Sequence, residues 1–174
     1  MSGISKGHAE ILRREGRLDE GSKSPYQKPD IAIGIDPGYR TGLAIVNRTT
    51  RRLMVWETLK EPDDIFDHDI EEAVKESGAQ TVYIQVPVKL GGKLAWFPGK
   101  GKASPAALVK NAMLAGWFAG FFEAQGYKVI PVPPRRGTGL KRSPALWRAD
   151  WKWEGRLPSE HVRDAAEIAM TKEE

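Results

Sequence analysis

The stretch Ile31-Ala32-Ile33-Gly34-Ile35-Asp36-Pro37-Gly38-Tyr39 decides the fold. Its first five residues form an apolar, β-branched run, the pattern of a buried strand. Asp36-Pro37-Gly38 stops that run with turn chemistry, so a carboxylate is presented at the edge of a sheet. An isolated Asp-Pro-Gly usually does no more than turn the chain, so the weight falls on what surrounds it. Upstream, residues 1–29 are polar and hold no convincing core segment. They read as an N-terminal arm, with room for one short helix over Ala9 to Arg17, ahead of a domain spanning 30–174.

Downstream, Thr41 to Val46 resumes as a second strand, Asn47 to Arg51 turns, and Leu53 to Thr58 makes a third. Short links predict an antiparallel meander. Ile65 to Ser77 has helical periodicity, with Ile65, Ile70, Ala73 and Val74 inward. Thr81 to Ile84 is a further buried strand ending at Gln85, and Gly91 to Lys102 reads as a loop. Ser104 and Pro105 are the cap and first residue of the longest helix, which runs to about Gln125. Its apolar stretch from Ala112 to Phe122 predicts a packed central helix. Gly126 ends it, and Tyr127 to Val132 is the fifth strand. The basic segment Pro133 to Arg156 carries Trp147, Trp151 and Trp153, expected to pack a long loop. Pro158-Ser159 opens a last helix over Glu160 to Thr171. This order predicts an α/β domain of RNase H-like fold: a five-stranded mixed sheet, antiparallel meander plus parallel strands, flanked by helices.

Composition sets the outer bounds. The 174 residues are 40% hydrophobic and 29% charged, which suits one globular domain. No cysteine is present, which excludes disulfide frameworks, thiolate zinc sites and cysteine nucleophiles. No apolar run is long enough for a membrane span and no signal-peptide pattern opens the chain, so a cytoplasmic location is expected. The formal net charge is +4, which favours a polyanionic partner.

Three features make Asp36 more than a turn residue. First, His161 and Asp164 stand three apart on the last helix and share a face, so both can reach one cation or one phosphate. Second, the strand ending at Gln85 parallels the strand ending at Asp36. A carboxylate there would complete an acidic cluster, but Gln85 is neutral. Third, basic residues gather in two segments. Lys89, Lys93, Lys100, Lys102 and Lys110 lie in one, Arg135, Arg136, Lys141 and Arg142 in the other. These suit phosphate contacts that position a nucleic-acid backbone. Trp96 and Phe97 lie within the first segment, suited to stacking on unpaired bases or to closing the loop on itself.

Ile33-Gly34-Ile35-Asp36-Pro37-Gly38 with Thr41-Gly42, and Gly155 to Ala166 with its His-x-x-Asp, resemble the first-strand motif and last helix of RuvC-type Holliday-junction resolvases, particularly phage-borne ones. The resemblance spans about residues 31–172. It implies a homodimer that binds a four-way DNA junction and nicks it with two divalent cations, Mg2+ or Mn2+, per site. Carried over, Asp36 would bridge both metals, and His161 and Asp164 would serve the second-metal side. The family has Glu where this chain has Gln85. Two explanations compete: a natural variant with weak activity or a binding-only role, or a nearly isosteric Glu-to-Gln substitution that disables cleavage.

Other readings share these features. They are a non-catalytic branched-DNA-binding protein and an RNase H-like nuclease for flaps, forks or RNA–DNA hybrids. An actin-like nucleotide-binding protein also starts with strand, Asp and Gly. This chain is too short for its two lobes and shows no second phosphate loop.

Overall fold

The computed structural model describes residues 29–90, 93–95, 104–134 and 143–172. Its centre is a five-stranded sheet of order β3-β2-β1-β4-β7. Strands β1 (Ile31–Asp36), β2 (Thr41–Asn47) and β3 (Arg52–Leu59) form the antiparallel meander. Strand β4 (Thr81–Gln85) joins β1 in parallel, and β7 (Lys128–Val132) joins β4 in parallel. This is the mixed sheet expected from the order of elements, an antiparallel meander continued by two parallel strands.

Helices cover both faces, and each face has its own core. On one side Ile33, Ile35, Leu43, Ile45, Val82 and Ile84 meet α1 (His68–Glu76) and α2 (Pro105–Ala124) through Ile70, Val74, Phe118 and Phe122. On the other, Ala32, Ala44, Val46 and Tyr83 meet α3 (Pro144–Asp150) and α4 (Glu160–Ala169) through Trp147, Val162, Ala165, Ala166 and Ala169. The strict alternation of strand side chains sorts them this way.

Several expectations need correction. The predicted helix from Ile65 to Ser77 is two elements. Pro62–Phe66 is a 3-10 turn, and α1 starts afresh because Asp67 turns out of helical geometry and caps the Asp69 amide. The stretch read as a loop from Gly91 is partly a hairpin, in which β5 (Val88–Leu90) pairs with β6 (Lys93–Ala95). Helix α2 is packed and central as expected, on one of its sides. Ala115, Phe118 and Phe122 are buried, but Val109 and Met113 are exposed. One sheet face can take only one side of a helix, however apolar the other side is.

The local signals for helix ends hold. Ser104, Ser143 and Ser159 each cap a helix by accepting from a backbone amide, with Pro at the start of the first two. Gly126 takes the positive φ that ends α2. Trp147 and Trp151 are buried and stacked as expected, but the segment read as a long loop contains helix α3, started by Ser143 and Pro144. Among the described residues no helix is long and apolar enough to cross a membrane.

Candidate active site

The parallel strands β1 and β4 end side by side at Asp36 and Gln85. Ile35 pairs with Ile84, so Asp36 and Gln85 are the next residues along both strands. Alternation puts both on the face covered by α4, opposite the aliphatic core of Ile35 and Ile84. Both are buried. The carboxyl ends of parallel strands are where α/β sheets commonly place their ligand sites.

Helix α4 reaches this spot because two glycines let it. A Cβ on Gly34 would fall on the Ala165 carbonyl oxygen, and one on Gly42 would fall on the His161 carbonyl oxygen. Gly42 is the ladder partner of Asp36. The lane of Ala32, Gly34, Gly42 and Ala44 on the sheet receives Ala165, Ala166 and Ala169 of α4, so helix backbone lies on strand backbone. Both helix ends are then held. The Ser159 and Thr58 hydroxyls share a hydrogen bond of 2.8 Å at the start. At the other end Arg48 donates to the Thr171 carbonyl at 2.7 Å and to the Tyr83 hydroxyl at 2.9 Å. In between, the buried Glu167 accepts from Trp151 Nε1 at 2.8 Å and pairs with Arg51 at 3.3 Å.

This docking carries His161 to Asp36. Nδ1 of His161 lies 3.2 Å from Oδ2 of Asp36, across 125 residues of sequence. The contact and the nearby acids raise the His161 pKa, so the imidazole holds its proton more readily than a free one. Burial raises the Asp36 pKa, against the opposing pull of His161. Asp164, one turn further along α4, is pushed up to about 7, first by burial and then by the charges of Asp36 and Glu160. Two carboxylates and an imidazole thus share one partly buried corner with too little positive charge for their number.

Glu160 was missing from the candidate residues. It raises the pKa of Asp36, His161 and Asp164 alike through its charge. Its spacing of four from Asp164 was the available signal, since such residues neighbour each other on a helix.

Of the proposed DNA contacts, Lys110 is described, on the exposed side of α2 near its start. Trp96, Phe97, Lys100, Lys102, Arg135, Arg136, Lys141 and Arg142 lie outside the described residues. Lys89 and Lys93 fall on the β5–β6 hairpin, but their side chains lie outside the description.

The donor set does not fit two divalent cations. Such a pair demands several carboxylates in one place. Here the position next to Asp36 is the amide of Gln85, which offers an oxygen but no charge. Among the described residues no group of three His, Asp or Glu side chains is gathered closely enough to hold a metal ion.

No protein-family model matches the chain, and no curated protein matches it. Among solved structures the chain is similar to T. thermophilus RuvC in complex with a Holliday junction substrate. The identity is 16% and the TM-score 0.48, over 81% of this chain and 90% of that one.

Proposed function

We propose that this chain is a RuvC-like protein for branched DNA, built as a structure-selective endodeoxyribonuclease whose cleavage centre is held back by Gln85. The observation that carries the reading is the placement of Asp36 beside Gln85 at the strand ends, with His161 of α4 3.2 Å from the Asp36 carboxylate. Asp36, His161 and Asp164 form the acidic corner that phosphodiester cleavage needs, and position 85 is where its negative charge falls short. The same amide favours a second reading, a branched-DNA-binding protein without catalysis. Cleavage by Mg2+ or Mn2+, two per site, belongs to the form with a carboxylate restored at that position.

The test uses synthetic four-way junctions with Mg2+ or Mn2+. The unaltered chain is expected to bind them and to nick them weakly or not at all. Gln85→Glu is expected to produce metal-dependent nicking. Binding without any gain of cleavage in Gln85→Glu selects the binding-only reading, and absence of binding overturns both. Running flaps, forks and RNA–DNA hybrids in the same assay identifies the preferred substrate.

A homodimer is part of the proposal, since a junction has two symmetric strands to cut and a twofold protein matches it. Val109, Met113 and Trp117 on α2, with Phe66 beside Trp117, form an exposed apolar face suited to that contact. Sedimentation showing only monomer at assay concentration overturns this part.

A further inference from the structure

Tyr39 is 82% exposed, the most exposed large apolar side chain described. It stands three residues after Asp36, so its Cα lies within about 11 Å of the Asp36 Cα. The turn that carries it is tied back by Gly38 N–H donating to Thr41 Oγ1 at 3.5 Å. That turn lies against the imidazole, since a Cβ on Gly38 would stand 4.0 Å from His161 Cε1. One face of the Tyr39 ring is backed by Lys110 of α2, whose Nζ lies 5.6 Å from the ring centroid. A cation over one face favours the ring electrostatically and leaves the other face to solvent. Among the described residues Tyr39 belongs to neither hydrophobic core, and the turn continues into the exposed Arg40.

We infer that Tyr39 and Lys110 form a stacking platform at the mouth of the site, which takes an unpaired nucleobase of DNA next to the branch point. The inference rests on the proposed branched-DNA function and adds a residue that orients the strand. Aromatic rings bind unpaired bases of any identity through their π-faces, and an ammonium behind the ring contributes both a cation–π contact and a phosphate partner. Bases stacked on both sides inside a continuous duplex offer no free face to such a ring. The pair therefore discriminates for branch points and against continuous duplex. Tyr39 acts on positioning, while the acidic corner stays intact without it.

The experiment places 2-aminopurine at the branch point of a four-way junction. Affinity and fluorescence are then read for the unaltered chain, Tyr39→Phe, Tyr39→Ala and Lys110→Gln. Stacking predicts a fluorescence change on binding that Tyr39→Phe keeps and Tyr39→Ala loses. Tyr39→Ala is expected to weaken junction binding about 5- to 100-fold, with affinity for continuous duplex unchanged. Lys110→Gln is expected to reduce the salt slope of binding by about one unit, and Tyr39→Ala to leave that slope alone. Unaltered affinity and fluorescence in Tyr39→Ala overturn the inference and leave the proposed function standing. Loss in Tyr39→Phe as well as Tyr39→Ala overturns stacking as the cause. If the unaltered chain binds no branched DNA, the proposed function fails and this inference with it.

Discussion

The two faces of the central sheet are built on opposite rules. Toward α1 and α2 the sheet offers Ile33, Ile35, Leu43, Ile45, Val82 and Ile84, and the layers are held apart by interdigitating aliphatic and phenylalanine side chains. Toward α4 the sheet offers Ala32, Gly34, Gly42 and Ala44, and helix backbone rests on strand backbone. The first arrangement holds the fold together by burying bulk. The second brings polar side chains on a helix within reach of a carboxylate at a strand end. A site made of Asp36 and His161 requires the thin face, because each methyl group inserted between the layers pushes them apart.

The comparison breaks first if the thin face tolerates bulk. Gly34→Val drives a side chain into the Ala165 carbonyl, and the expected loss is about 4 kcal/mol or more. Urea unfolding measures it, and the His161 imidazole shift by NMR should lose its dependence on Asp36. A loss below about 1 kcal/mol would mean that α4 does not need its close seat. On the thick face Phe118→Ala should cost about 3–5 kcal/mol through the cavity it leaves. The His161 signal should then be unchanged, which separates the two faces.

A smaller effect is read against pH. The folded-state pKa of Asp164 is raised from 3.8 to about 7, so the folded chain binds this proton more tightly than the unfolded one. Stability is therefore fully present below about pH 4 and is lost as pH rises toward 7. His161 is also raised, so its contribution is lost as pH climbs through its elevated value. Both push the same way, and melting should fall between pH 5 and pH 8. Asp164→Asn should remove about 2 kcal/mol of that slope once solvent screening is allowed for. An unchanged pH profile in Asp164→Asn would falsify the crowded acidic corner.

Smaller again is Trp151→Phe, which removes the 2.8 Å hydrogen bond to Glu167. The expected cost is about 1–2 kcal/mol, with Arg51 still paired to the carboxylate. Smallest is Met113→Glu, on the exposed side of α2. Monomer stability should move by no more than about 0.5 kcal/mol, while any dimer seen by sedimentation should dissociate.

Much of this was legible along the chain. The strand before Asp36, the meander after it, and the serine caps at Ser104 and Ser159 follow from neighbours a few residues apart. His161 and Asp164 could be paired because a helix brings residues three apart together. The break at Asp67 was hidden because Ile65 and Ile70 continue the apolar pattern across it. The β5–β6 hairpin was hidden because its strands are three residues long and its turn is glycine-rich. Glu160 was visible in spacing but not in effect, since its influence depends on charges brought from another element.

Local sequence was therefore enough to set the strands, the helix ends and the turn that presents Asp36, because turn chemistry, capping and apolar period act over a few residues. Where α4 landed was a matter of long-range packing alone. As residue types, Gly34 and Gly42 only weaken a strand interior. Only with α4 seated on them do they become the space that lets His161 meet Asp36, since a close approach of two backbones depends on both surfaces at once.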